Sequence, residues 1–306
     1  MIIDAHLHVW DLTRAPYPWL SDELHPVDRT LLIDDIAPAL ERAHVDRVVL
    51  VQAVDNAADT EVMRSEAARH PDRVAGIVAW LPLDDPDAVE ATVSSFAADP
   101  LIVGIRNLVH IREPRWLAEA PQDASLALLA RAGLPLDFVT GSAHALEEIP
   151  GIVERHPDLR IVIDHLGKPP IGGSADDRRV WRRLLADAAA HPLVHAKVSG
   201  LYPPSGDMRA WTVDSIRPFI DDAVEVFGVD RLMYGSDWPI AELGGGHERV
   251  HDALVEVFGG WSASDREAVL SRTAAAFYRL PAESADTANA ANTTNTTNAT
   301  NERTTA

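Results

Sequence analysis

Two histidines stand two positions apart in the run Ile2-Ile3-Asp4-Ala5-His6-Leu7-His8-Val9-Trp10. The run is apolar enough for a strand, and strand side chains alternate faces, so His6 and His8 project the same way. Two imidazoles on one face can grip a metal ion or a reacting group together. A strand with two structurally satisfied histidines would read the same, because His-x-His is short enough to arise by chance. Later residues weigh on that choice. The stretch 159–165 ends in Asp164-His165, and 231–237 ends in Gly235-Ser236-Asp237. His6, His8, His165 and Asp237 form a candidate set of three nitrogens and one oxygen, which suits zinc or a similar borderline cation. Such an ion would polarise a carbonyl and lower the pKa of bound water to about 7. Asp237 would then accept a proton from that water. Without metal, the histidines could hydrogen-bond the carbonyl directly, with Asp237 still the base. Both schemes bring water to an ester-like carbon.

Further polar groups fall at the ends of apolar runs: Gln52, Trp80, Arg106 with Asn107, and Asp137. In the run 193–199, Val194, Ala196 and Val198 alternate with His195, Lys197 and Ser199. The apolar set suits a helix-covered face, which turns His195, Lys197 and Ser199 toward the lumen. An ammonium there must be paired or near solvent, since an unpaired buried charge is costly. Lys197 is read as a substrate-binding residue, together with Gln52, Trp80, Arg106 and Ser199, although stabilising pairing with a carboxylate would place the lysine equally well. Trp19, beside Tyr17 and Pro18 in a long loop, is positioned to cover a pocket, and Trp238 follows Asp237 at the end of the last run; both are read as substrate contacts.

The elements that must position these groups follow from periodicity. Eight β-rich runs occur, at 2–9, 47–53, 73–81, 101–109, 134–139, 159–165, 193–199 and 231–237. Helical patterns separate them, near 34–44, 59–70, 86–98, 122–132, 144–156, 176–191, 211–227 and 247–258, with a last one near 264–279. Strands alternating with amphipathic helices indicate an α/β protein with a parallel sheet. Eight repeats suggest a single-domain (β/α)₈ TIM barrel over 1–280. An open doubly wound sheet would normally carry a Gly-rich phosphate turn after its first strand, and none is present. The candidate groups all fall at the C-terminal ends of strands, where barrels keep their catalytic loops. The stretch 281–306 is an Asn/Thr-rich, low-complexity tail that cannot offset its ordering entropy and is expected to be disordered.

Composition excludes several partner classes. The formal net charge of −20 argues against nucleic acid and anionic membranes. No segment approaches the length of an apolar span, and Asp4, His6 and His8 interrupt any signal-peptide core. The absence of cysteine rules out thiolate ligands and favours a cytoplasmic location. No Gly-x-Ser-x-Gly elbow or Walker loop occurs. Only Lys168 and Lys197 are lysines, the rest of the positive charge being Arg.

These residues resemble a known group. The run 3–10 followed by Tyr17-Pro18-Trp19-Leu20 is similar to the opening of the sugar-lactonase branch of the amidohydrolase superfamily. In order follow Val103-Gly104-Ile105-Arg106, Arg155-His156-Pro157-Asp158-Leu159, Asp164-His165-Leu166-Gly167-Lys168-Pro169, Lys197-Val198-Ser199-Gly200-Leu201 and Tyr234-Gly235-Ser236-Asp237-Trp238-Pro239. The resemblance implies a (β/α)₈ barrel that hydrolyses aldonolactones such as L-fuconolactone or L-rhamnonolactone. It includes a pyrone dicarboxylate lactonase and, further off, zinc-dependent decarboxylases. It implies that His6 and His8 are the strand-one pair, His165 the strand-six histidine, Asp237 the water-activating aspartate and Arg106 a substrate contact. No bridging lysine or glutamate stands where dinuclear members have one, so the resemblance implies one divalent ion, such as zinc, or none. The expected partner is a small-molecule lactone; oligomeric state is not legible. A metal-dependent non-oxidative decarboxylase and a non-catalytic sugar-acid binding protein are the competing readings.

Overall fold

A computed structural model describes residues 1–281. Strands β1 (Ile3–Leu7), β2 (Arg47–Val51), β3 (Val74–Ala79), β4 (Ile102–Asn107), β5 (Leu136–Phe138), β6 (Ile161–Ile163), β7 (Val194–Val198) and β8 (Leu232–Tyr234) pair in sequence order. Every ladder between them is parallel. Each of the first seven strands therefore returns through a crossover helix, α1 (Ile33–Arg42), α2 (Ala57–Arg69), α3 (Pro86–Ala98), α4 (Ala120–Ala132), α5 (Glu148–Arg155), α6 (Ala175–Ala189) and α7 (Val213–Phe227), and α8 (His247–Phe258) follows the eighth. The result is the expected (β/α)₈ barrel. Local chemistry starts these helices. Asn56, Asp85 and Ser174 each accept a backbone N–H in the first turn of α2, α3 and α6, which satisfies a donor that the helix itself cannot.

The barrel closes through the segment after β8 rather than through the strand itself. Leu7 bridges Trp238 in parallel; the His8 amide donates to the Trp238 carbonyl at 2.7 Å, and the Asp237 amide to the His6 carbonyl at 2.8 Å. Asp4 adds a side-chain clasp, accepting from the amides of His6 at 3.0 Å and Ser236 at 2.9 Å. Strands six and eight end earlier than sequence suggests, at Ile163 and Tyr234. His165 and Asp237 instead occupy post-strand turns with left-handed backbones, φ 55° and 60°. The expected strands run on because Asp164, His165, Ser236 and Asp237 follow the apolar runs directly and are themselves buried.

The opposite end of the barrel is stoppered by the last helix, α9 (Ala263–Glu267) and α10 (Thr273–Tyr278) joined by a π-helical turn at Ala268–Arg272. Phe277 and Tyr278 pack with Ile3, Val49, Val78, Val103 and Met233 in a core cluster separate from the main one. Arg160, just before β6, donates to the Phe277 carbonyl, and Arg47 at the start of β2 to the Pro281 carbonyl at 3.1 Å. The tail expected to be disordered from residue 281 lies, Pro281 apart, outside the described residues. Among them, no helix is long and apolar enough to cross a membrane.

Candidate active site

Four side chains converge at the C-terminal end of the barrel. The Nε2 atoms of His6 and His8 are 3.1 Å apart, as their shared strand face requires. Asp237 Oδ1 lies 3.7 Å from His6 Nε2, 3.6 Å from His8 Nε2 and 3.8 Å from His165 Nε2. His6, His165 and Asp237 each offer a ligand atom within 4.8 Å of the others. All four residues are buried.

What lies behind each ring decides which atom it presents. His8 Nδ1 bonds the Val51 carbonyl at 2.7 Å. A carbonyl only accepts, so Nδ1 donates to it and Nε2 is the nitrogen turned toward the site. His165 Nδ1 lies 3.0 Å from Ser199 Oγ, and His6 Nδ1 lies 3.2 Å from Asp164 Oδ1 and 3.0 Å from Lys197 Nζ. The second nitrogen of each ring is thus engaged, as in imidazoles that ligate metal. Burial holds His6 and His165 well below the usual imidazole range, which keeps both rings neutral. Neutral nitrogens and a carboxylate oxygen facing one point fit a zinc-like ion.

Beneath the site runs a buried charge network. Lys197 Nζ contacts Asp137 Oδ2 at 2.5 Å and Asp164 Oδ1 at 3.1 Å. Arg106 Nε lies 3.3 Å from Asp164 Oδ2, and the Tyr278 hydroxyl donates to Asp137 Oδ2 at 2.7 Å. Burial alone would raise Asp164, but Lys197, His6 and Arg106 outweigh it and hold the carboxyl well below its ordinary range. Burial raises Asp137 to about 6, against the pull of Lys197.

Above the four residues opens a cavity of about 450 Å³, lined in part by His8, Trp19, Arg106, His110, His165, Lys168 and Asp237. The Trp19 indole donates to the Ala53 carbonyl at 2.9 Å and stands edge-on to Trp10 at 5.3 Å between ring centroids, so the first loop folds over the mouth. The other residues singled out for substrate binding lie elsewhere. Lys197 is fully buried below His6. Ser199 is buried against His165. Gln52 is buried behind Arg106, donating to its carbonyl at 2.9 Å. Trp238 joins the hydrophobic core, and Trp80 does not line the cavity. Strand alternation points a residue inward without telling its depth in the barrel.

Sequence reasoning gave no role to several residues that matter here. Asp164 is the hub between His6, Lys197 and Arg106; it was visible only as the neighbour of His165. Asp55, which also lines the cavity, accepts from the Leu108 amide at 2.9 Å and pairs with Arg112 at 2.8 Å. His110 and Lys168 complete the wall. The scarcity of lysine and the motif running from Asp164 to Pro169 were the signals pointing to Lys168. Gly200 is required by contact: at φ 55° its added Cβ would overlap the His165 ring.

A parallel (β/α)₈ barrel with neutral histidines and an aspartate converging at its C-terminal mouth is the architecture of a hydrolytic enzyme. Residues 3–280 match the family model described as Amidohydrolase, and the chain belongs to that family. It is 31% identical over 297 residues to an L-fucono-1,5-lactonase of Burkholderia ambifaria, covering 93% of this chain and 97% of the relative. A γ-resorcylate decarboxylase of Rhodococcus jostii is 27% identical over 301 residues, 85% of this chain and 86% of the relative. Among solved structures, a Burkholderia multivorans amidohydrolase is 26% identical, with TM-scores of 0.85 in a HEPES-bound form and 0.83 in a zinc-bound form. Each form covers 92% of this chain and 100% of the other.

Proposed function

We propose that the protein is a sugar lactonase, opening an aldonolactone such as L-fucono- or L-rhamnono-lactone to the free sugar acid. The observation that carries this reading is the placement of Asp237 Oδ1 within 3.6–3.8 Å of all three Nε2 atoms on the floor of the cavity. The lactonase relative supports the substrate class. Asp237 takes the proton of the attacking water. With no ion bound, His6, whose Nδ1 faces the Lys197 ammonium, and His165, whose Nδ1 faces the Ser199 hydroxyl, donate from Nε2 to the carbonyl oxygen as its charge develops, and Arg106 and Trp19 hold the ring of the sugar from the cavity wall. His6, His8, His165 and Asp237 are the residues that would hold one divalent ion, zinc by donor type. Such an ion would supply carbonyl polarisation and a more acidic water. Asp164 and Lys197 position His6, and Ser199 positions His165; none of the three touches substrate. We place the activity in the cytoplasm.

A pH-indicator screen of neutral aldono-1,4- and 1,5-lactones tests the reading. Acid release from at least one, with no carbon dioxide evolved from dihydroxybenzoates in the same preparation, is the expected result. Carbon dioxide release with inert lactones would establish the decarboxylase alternative. Lactone binding without turnover across the panel would establish a binding protein.

A further inference from the structure

The chain has two lysines, and the fold brings both to the site by different means. Lys197 is compensated on all sides. Lys168 is not. Its half-buried side chain lines the cavity, and its ammonium makes no hydrogen bond or ion pair among the described residues. The other cations nearby are matched, Arg106 by Asp164 at 3.3 Å and Arg112 by Asp55 at 2.8 Å. The carboxylate whose field Lys168 feels most is Asp237, with Arg106 and Asp164 further contributors.

The backbone that delivers Lys168 is unusual. His165, Leu166, Gly167 and Lys168 follow one another at φ 55°, 49°, 69° and 58°. Left-handed conformation costs a non-glycine residue roughly 1–2 kcal/mol, so a run of this kind persists only where its surroundings over-determine it. Here they do. The Trp181 indole donates to the Leu166 carbonyl at 2.8 Å, and the Lys168 amide closes the turn on the His165 carbonyl at 3.0 Å. A Cβ at Gly167 would stand 2.8 Å from the Leu146 methyls. The turn sets His165 and Lys168 into the lining of one cavity, with Asp237 in the same lining.

We propose that Lys168 is the general acid of ring opening, an inference that rests on the lactonase reading above. Water forms the new bond to the carbonyl carbon and gives its proton to Asp237. The ring carbon–oxygen bond then breaks, its electron pair goes to the ring oxygen, and that oxygen takes a proton from Lys168 Nζ. Asp237 returns its proton to the lysine amine, which leaves the enzyme as it began and the product as a hydroxy acid. Burial and the charge of Arg106 lower the lysine's pKa against the pull of Asp237, in the direction that suits proton donation near neutral pH.

The test compares K168M and K168R with wild type on an aldono-1,5-lactone, whose leaving group is an alkoxide, and on dihydrocoumarin, whose leaving group is a phenoxide. Arg keeps the charge but does not release a proton at working pH. Both variants should lose about 10²- to 10³-fold in kcat on the aldonolactone. The loss on dihydrocoumarin should stay within about fivefold, because a good leaving group needs little acid. Near-normal aldonolactone turnover by K168R, or equal losses on both substrates, would overturn the inference. K168R decides the matter by itself if K168M fails to fold, as judged by its thermal melt. Wild type inert on every lactone would remove the lactonase reading and this inference together; active wild type with active K168R removes only the latter.

Discussion

Lys197 Nζ lies 2.5 Å from Asp137 Oδ2, and neither side chain reaches solvent. The pair joins the stoppered end of the barrel, through Tyr278, to Asp164 and His6 at the mouth. Removing one member of a buried pair leaves an uncompensated charge, which costs about 3–5 kcal/mol. Lys197→Met should therefore lower the thermal midpoint by roughly 10 °C. If its role is positioning, the KM of the surviving enzyme should stay within about threefold of wild type. A stable variant with a greatly raised KM would make Lys197 a substrate contact after all.

Asp237→Asn keeps the size of the side chain but removes its capacity to take a proton. Turnover of a responsive aldonolactone should fall by about 10³- to 10⁴-fold, with the melt within a few degrees of wild type. An active D237N enzyme would exclude Asp237 as the base.

Zinc binding can be read without activity. A ligand that binds only the folded chain stabilises it by about 2.7 kcal/mol at a hundredfold excess over its Kd. Added zinc should raise the melting midpoint of chelator-treated wild type and leave that of His165→Asn unmoved. A midpoint insensitive to zinc in wild type would favour direct contact of the histidines with the lactone carbonyl.

Acid should expose a group remote from the site. Burial, helped by His251, lowers His247 from 6.5 to about 4, and it stacks on His251 with 6.0 Å between ring centroids. Between those values the unfolded chain binds the proton that the folded chain refuses, so this share of stability is lost as pH falls. Asp4 and Asp59, each raised by burial to about 6, act in the opposite sense over the same range. Comparing denaturant unfolding of wild type with His247→Phe isolates the histidine. Relative to the variant, wild type should lose stability from pH 7 to pH 4.5. A constant difference would show that His247 takes up its proton equally in the folded and unfolded states.

The barrel was legible because its signal is repeated: eight apolar runs, each followed by an amphipathic stretch, leave little choice of topology. The convergence of His6 with His8 was legible from strand alternation, a local rule. Depth was not. Lys197 sits on a strand with a correctly read face and Gln52 just past the end of β2, yet one is buried below the metal-type set and the other behind Arg106. The turns that carry His165 and Asp237 were read as strand, because nothing in Asp-His-Leu-Gly-Lys announces four consecutive left-handed residues. Asp164 escaped notice because its partners come from β1, β4 and β7, and no local pattern reports contacts of that range.

The last described residue, Pro281, is held by Arg47 at the start of β2, on the face of the barrel away from the mouth. A surface, a fluorophore or a partner enzyme attached at Pro281 would therefore sit on the side opposite the mouth and leave the approach of substrate open.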